Sequence, residues 1–261
     1  TGYGTDGRIW GSEFMAADCR GFTRLGHLEY LPLPGGALAI KKPYRTTLGY
    51  LLALGLDFKK LAFAKNIAPE EIEIIESQIA KQLNAPLTSS MGRLFDAVAA
   101  LLGFEGAIAY EAQAAITLEM LAHDAAGETG SYPFAVVETD GMNIIRLRDL
   151  LSAVIEDIKH GVPKEAIAMK FHNTVPRMVL DLCQAIAART GLRRAALSGG
   201  CFQNRILLEK TLKLLEDGGF QVLTHRQVPC NDGGLALGQA VIANFTSDRG
   251  VSHVLGHTGA D

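Results

Sequence analysis

The chain has 261 residues, 48% of them hydrophobic, and a formal net charge of −3. That length suits one large domain or two closely packed lobes with a sizeable core. The acidic balance excludes bulk electrostatic capture of nucleic acid or of a membrane surface, and no apolar run reaches the roughly 20 residues that span a bilayer.

In chain order, Gly4-Thr5-Asp6-Gly7 is a turn signal followed by the β-prone pair Ile9-Trp10. Leu28, Tyr30 and Leu31 resemble a second short strand, ended by Pro32-Leu33-Pro34-Gly35-Gly36. From Thr46 the pattern turns helical. Pro69 with Glu70 and Glu71 starts a helix whose apolar face is Ile72, Ile75, Ile79 and Leu83. A second helix begins near Ser90, buries Leu94, Val98, Leu101 and Leu102, and stops at Gly103. A third is expected from Tyr110 to His123, with Ala115, Leu118 and Leu121 inward. Phe134 to Leu147 reads as a hairpin turning at Asp140-Gly141. Leu151, Val154, Ile155 and Ile158 mark another helix. Residues 164–189 are mostly helical, with Pro176 expected to break, bend or begin a helix.

The order then becomes strand (194–197), helix (204–215), strand (220–223) and apolar helix (235–243), the signature of a parallel strand pair in an α/β layer. One two-lobed domain over 1–245 and a loose polar tail over 246–261 are expected. The opening residue is Thr1, not Met, so the chain reads as an excised or truncated piece without a signal peptide. Cys19, Cys183, Cys201 and Cys230 form no CxxC knuckle, which fits a reducing cytoplasm better than a disulfide framework.

Five segments carry chemistry. Ser198-Gly199-Gly200-Cys201-Phe202-Gln203-Asn204 leaves a strand through two glycines and enters a helix. Such a turn lets a ligand approach the backbone and meet free N–H groups, and it serves equally as a packing turn. It is neither GxGxxG nor a Walker A loop. Asp232, in Asn231-Asp232-Gly233-Gly234, offers a hard oxygen donor, or else a turn or helix cap. Gly92, in the first turn of a helix that also carries Asp96, costs about 1 kcal/mol against Ala, which a nearby ligand or backbone would explain. Glu111 suits a helix N-terminus or a ribose hydroxyl. Gly2, Gly4 and Thr5 belong to a glycine-rich hairpin that can wrap phosphate or simply turn. Cys201 at a helix start would have a lowered pKa, yet neither His172 nor His225 is tied to it as a base, so a structural role is favoured. His27 and His172 lack partners at metal-ligand spacing.

Taken in this order, the five segments resemble those of the carbamoyltransferase HypF family of nickel–iron hydrogenase maturation. The resemblance spans residues 1 to about 243. It implies an α/β fold of the two-lobed sugar kinase/Hsp70/actin type, with ribonuclease H-like lobes, incomplete at the N-terminus here. It also implies an ATP-dependent reaction in which carbamoyl phosphate yields carbamoyl-adenylate, whose carbamoyl group passes to the C-terminal cysteine of HypE as a cyanide-ligand precursor. On the matching positions, Gly199, Gly200 and Asn204 resemble the adenosine-side turn, and Asp96 and Glu111 the ribose-binding acids beside Gly92. Gly2, Gly4 and Thr5 resemble the phosphate-side hairpin, and Asp232 the metal-binding acid. The family's iron or zinc takes further ligands that lie upstream of Thr1, so metal binding and unaided catalysis by this piece are not expected. A tRNA threonylcarbamoyl transferase subunit of the TsaD type and an inactive HypE-docking fragment are the alternatives.

Overall fold

The computed structural model describes residues 2–247. Strands β1 (Gly2–Tyr3) and β2 (Ile9–Trp10) are followed by β3 (Glu13–Asp18), β4 (Gly21–Leu28) and β5 (Leu31–Pro32). Helices α1 (Ala37–Lys41), α2 (Pro43–Ala53), α3 (Ala62–Lys65) and α4 (Pro69–Ala80) lead to β6 (Leu87–Thr88). Helices α5 (Met91–Leu101) and α6 (Gln113–His123) precede the hairpin β7 (Ala135–Thr139) and β8 (Met142–Arg146). Then come α7 (Arg148–Lys159), α8 (Lys164–Thr190), β9 (Arg194–Leu197), α9 (Arg205–Asp217), β10 (Gln221–Thr224) and α10 (Leu235–Ser247).

The strands form three sheets, ordered β1-β2-β6-β5, β3-β4-β8-β7 and β10-β9. The last pair is parallel, with Ala195 opposite Val222, as the strand–helix–strand pattern requires. The β7–β8 hairpin turns at Asp140 and Gly141, both at positive φ, which matches the strand twist. Helix α8 lies on the second sheet so closely that a Cβ at Gly26 would stand 2.8 Å from Leu182 Cδ2 and 2.9 Å from the Asn143 carbonyl. Helices α6, α7 and α9 pack on α8, and α2 packs on α5. The main core includes Leu94, Val98, Leu118, Phe171 and Met178, each contributing about 1.5–3 kcal/mol of burial. A smaller core of Ala187, Leu197, Leu215 and Phe220 sits under β9, β10 and α9, and Phe202 packs against both. No helix among the described residues is long and apolar enough to cross a membrane.

Several boundaries differ from the sequence reading. The strand expected around Leu28 to Leu31 is two strands in two different sheets, parted at Glu29 and Tyr30. Helix α4 stops at Ala80, because Gln82 and Asn84 turn to positive φ, and Leu83 is left 64% exposed. Helix α6 starts at Gln113, since Ala112 takes the left-handed conformation, so Glu111 precedes the helix instead of lying in its first turn. Pro176 neither breaks nor begins a helix: it is buried inside the 27-residue α8. Of the expected tail, Thr246 and Ser247 continue α10, and the remainder lies outside the described residues, as does Thr1.

Candidate functional site

Gly199, at φ 107° and ψ 153°, holds a conformation that only glycine adopts readily, and it turns the chain sharply at the carboxyl end of β9. Its N–H donates to the Cys230 carbonyl at 2.8 Å, stitching this turn to the Pro229–Gly234 loop. A 3-10 turn, Gly200–Gln203, follows, and Asn204 then caps α9 by accepting the Leu207 N–H at 2.8 Å. A Cβ on Gly200 would lie 3.8 Å from Gln203 Oε1 and 3.9 Å from Asn231 Cβ, an ordinary contact. Gly200 is therefore not required by packing within the chain.

The Ser90–Asp96 segment meets the same turn. Ser90 caps α5 through the Arg93 N–H, and a Cβ on Gly92 would lie 3.9 Å from Cys201 Sγ. Asp96 is only 2% exposed, and burial pushes its carboxyl up to about 6 while Arg93 opposes the shift. Arg93 Nη2 comes within 3.0 Å of Asp96 Oδ2, near enough for an ion pair but off the hydrogen-bonding line. Asp96 Oδ2 and Arg93 Nη1 are both buried without a hydrogen-bond partner. Polar atoms so placed are rare in settled interiors. Burial also raises the Cys201 thiol, the reverse of the lowering expected from a helix start. Cys201 is thus packed as a small apolar side chain and not poised as a nucleophile.

The hairpin holding Gly2, Gly4 and Thr5 is tied down through its base. Ser89 N–H donates to the Ile9 carbonyl, and Ser89 Oγ donates to Glu13 Oε1 at 2.5 Å, linking β2 and β3 to the start of α5. Glu13 Oε2 accepts from Arg24 Nε at 2.5 Å. The Arg24 guanidinium stacks 4.1 Å over the Trp10 ring, and Asp6 accepts from Trp10 Nε1 and Tyr30 Oη. Within the hairpin, the Gly4 and Gly7 amides bond internally, and Arg8 N–H donates to Asp6. The Thr5 and Asp6 amides have no acceptor among the described residues. A Cβ on Gly4 would fall 2.0 Å from the Trp10 ring, so that glycine serves packing.

Glu111 is exposed in the loop before α6, and none of the described contacts joins it to the other candidates. Asp232 is exposed at the start of a 3-10 turn, where the capping acceptor is its neighbour Asn231. No group of three or more His, Cys, Asp or Glu side chains among the described residues could hold a metal, so the donor set here does not fit an iron or zinc ion.

Sequence reasoning missed Arg93, though its spacing of three residues from Asp96 on a helix was a usable signal. It also missed Glu119, which accepts the Arg205 N–H at 2.7 Å and sets a carboxylate at the N-terminus of α9. His172 and His225, which no sequence signal ties to Cys201, have other partners. His225 Nε2 lies 3.0 Å from Ser198 Oγ, joining the ends of β9 and β10. His172 Nε2 lies 2.9 Å from Asn204 Nδ2. Both pairings are long-range, so no local spacing announces them.

A glycine turn, a buried ion pair and the N-termini of α5 and α9 belong to the segments that meet here. Residues 1–239 match the family described as carbamoyltransferase, Kae1-like domain, second subdomain. Carbamoyltransferase HypF2 of Cupriavidus necator is 36% identical, over 93% of this chain and 32% of its own length. Carbamoyltransferase HypF of Synechocystis is 35% identical, over 92% of this chain and 32% of its own length. The chain thus spans about a third of these two curated relatives, in their C-terminal part. The crystal structure of full-length HypF in its phosphate- and nucleotide-bound form superposes with a TM-score of 0.87 and 44% identity, covering 94% of this chain and 38% of that one. The chain belongs to the carbamoyltransferase HypF family.

Proposed function

We propose that this chain carries the adenosine side of a carbamoyl-transfer centre, as the C-terminal part of a longer enzyme. In that reaction water releases inorganic phosphate from carbamoyl phosphate, an oxygen of the resulting carbamate bonds to the α-phosphorus of ATP as the bond to pyrophosphate breaks, and the C-terminal cysteine thiolate of HypE then attacks the carbonyl carbon of the carbamoyl-adenylate. The S–C bond forms, the C–O bond to AMP breaks, and AMP leaves with the electron pair. The observation that carries the reading is the meeting of Gly92 with Cys201, which brings two sequence-distant segments to one sheet edge. The nucleotide-bound state of the full-length relative supports it.

This chain's own residues bind and orient. The Gly199–Gly200 turn admits the adenosine part closely, and the buried Arg93–Asp96 pair stands on the helix that meets this turn at Gly92. Holding AMP by its adenosine end fixes the carbamoyl carbon for an incoming thiolate, which is rate enhancement by positioning. No nucleophile on this chain takes part, in keeping with the raised Cys201 thiol.

The relatives, all named as HypF-type carbamoyltransferases, favour this reading over a tRNA-modifying one. Docking of HypE without chemistry is the second reading, favoured for the isolated piece by its lack of a metal-ligand cluster among the described residues. Thiocarbamoylation of HypE, followed by mass spectrometry with the full-length enzyme and with this chain alone, tests both. Transfer by the full-length enzyme is expected. If the full-length enzyme leaves the HypE cysteine unmodified, the proposal falls.

A further inference from the structure

We propose that His172 is a positioning residue for the nucleotide-side turn. It fixes the Asn204 amide so that the turn presents an N–H, and not an oxygen, to the adenosine part of a ligand. The proposal rests on the reading of Gly199–Asn204 as that turn.

His172 is fully buried in the middle of α8, where a polar ring is costly unless both nitrogens are satisfied. Nδ1 lies 2.8 Å from the Ala168 carbonyl, one turn back. A carbonyl oxygen only accepts, so Nδ1 carries the proton. Burial holds the imidazole pKa down to about 4, with Lys210 adding to the effect, so the ring is neutral. Nε2 is then a bare acceptor and requires a donor. Asn204 supplies one from Nδ2 at 2.9 Å.

A second observation sets the same orientation independently. Asn204 Oδ1 accepts the Leu207 N–H, so the amide cannot flip without losing both bonds. The amide is planar, and the direction of its other Nδ2 hydrogen is thereby set. That hydrogen has no partner among the described residues, and Asn204 is only partly buried. It suits a ribose oxygen or a purine ring nitrogen. The His172 ring also stands edge-on to Phe95 at 5.3 Å, on the helix that carries Gly92 and Asp96. One side chain thus links α8, α5 and the cap of α9.

The test uses the full chain, AMP as the probe, calorimetry for affinity and nitrogen NMR for the ring. Wild type should show the Nδ1–H tautomer. His172→Leu keeps the bulk but removes the acceptor, and it should weaken AMP binding roughly tenfold. His172→Gln, whose amide oxygen can replace Nε2, should restore affinity to within about threefold of wild type at similar thermal stability. Asn204→Asp keeps a good helix cap without the donor and should lose affinity like His172→Leu, which covers the case of a misfolded leucine variant. Equal AMP affinities for the Leu and Gln variants, an Nε2–H tautomer, or wild-type affinity in Asn204→Asp would each overturn the proposal. If wild type itself binds no AMP, the nucleotide reading fails, and the ring tautomer still decides whether the lock exists.

Discussion

Asp96→Asn perturbs the buried ion pair without changing its shape. Burial holds the Asp96 carboxyl at about 6, against 3.8 for the ordinary group, so the folded state binds this proton more tightly than the unfolded state. The resulting stability is fully present below pH 3.8 and is lost as pH rises through about 6. A shift of about 2 units corresponds to about 3 kcal/mol in total, and linkage puts about 1.4 kcal/mol of it between about pH 5 and pH 8. Asparagine has no such titration. Urea unfolding of both proteins across that range should show wild type losing about 1.4 kcal/mol relative to Asp96→Asn toward high pH. Parallel curves would refute the reasoning. A slope of the opposite sign would mean that the attraction of Arg93 outweighs the cost of burial.

Gly4→Ala would drive a Cβ to within 2.0 Å of the Trp10 ring, so the hairpin must shift at a cost of roughly 1–3 kcal/mol. Trp10 is the sole tryptophan, and its emission should move to longer wavelength as the ring is exposed; an unchanged spectrum would count against this packing. Helix α10 exposes Leu235, Leu237, Ile242 and Phe245, each at least 44% accessible, and an isolated 13-residue helix is marginal in water. Hydrogen exchange on the dilute chain should therefore be fast in α10 and slow in α8, and strong protection of α10 would contradict the exposed placement.

How much of this was legible in the sequence depends on the range of the interactions. The parallel β9–β10 pair and the Asp140-Gly141 hairpin are local patterns of alternation and turn chemistry, and both appear as expected. The Ser90 cap and the α5 face were legible for the same reason. The β3–β4 hairpin was not, because β4 is exposed at one end and buried at the other, with Phe22 outside and His27 inside, so no clean period shows. The α4 face failed at Leu83 because the chain reversed at Gln82, and a spacing rule does not see positive φ. Pro176 was misleading: its missing N–H is tolerated within a long, buried helix. At the site, glycines and acids were visible as types. Their partners were not, since Arg24 with Trp10, Glu119 with Arg205 and His172 with Asn204 are set by the packing of distant elements.

The central claim is that the Gly199–Gly200 turn receives a nucleotide. Titration of wild type and Gly200→Val with ATP or AMP by calorimetry tests it most directly. The structure leaves ordinary space for the first side-chain carbon at Gly200, 3.8 Å from its nearest neighbour, so the valine variant should fold with a similar thermal midpoint. Wild type is expected to bind, and Gly200→Val is not. Equal affinities in two equally folded proteins would contradict it.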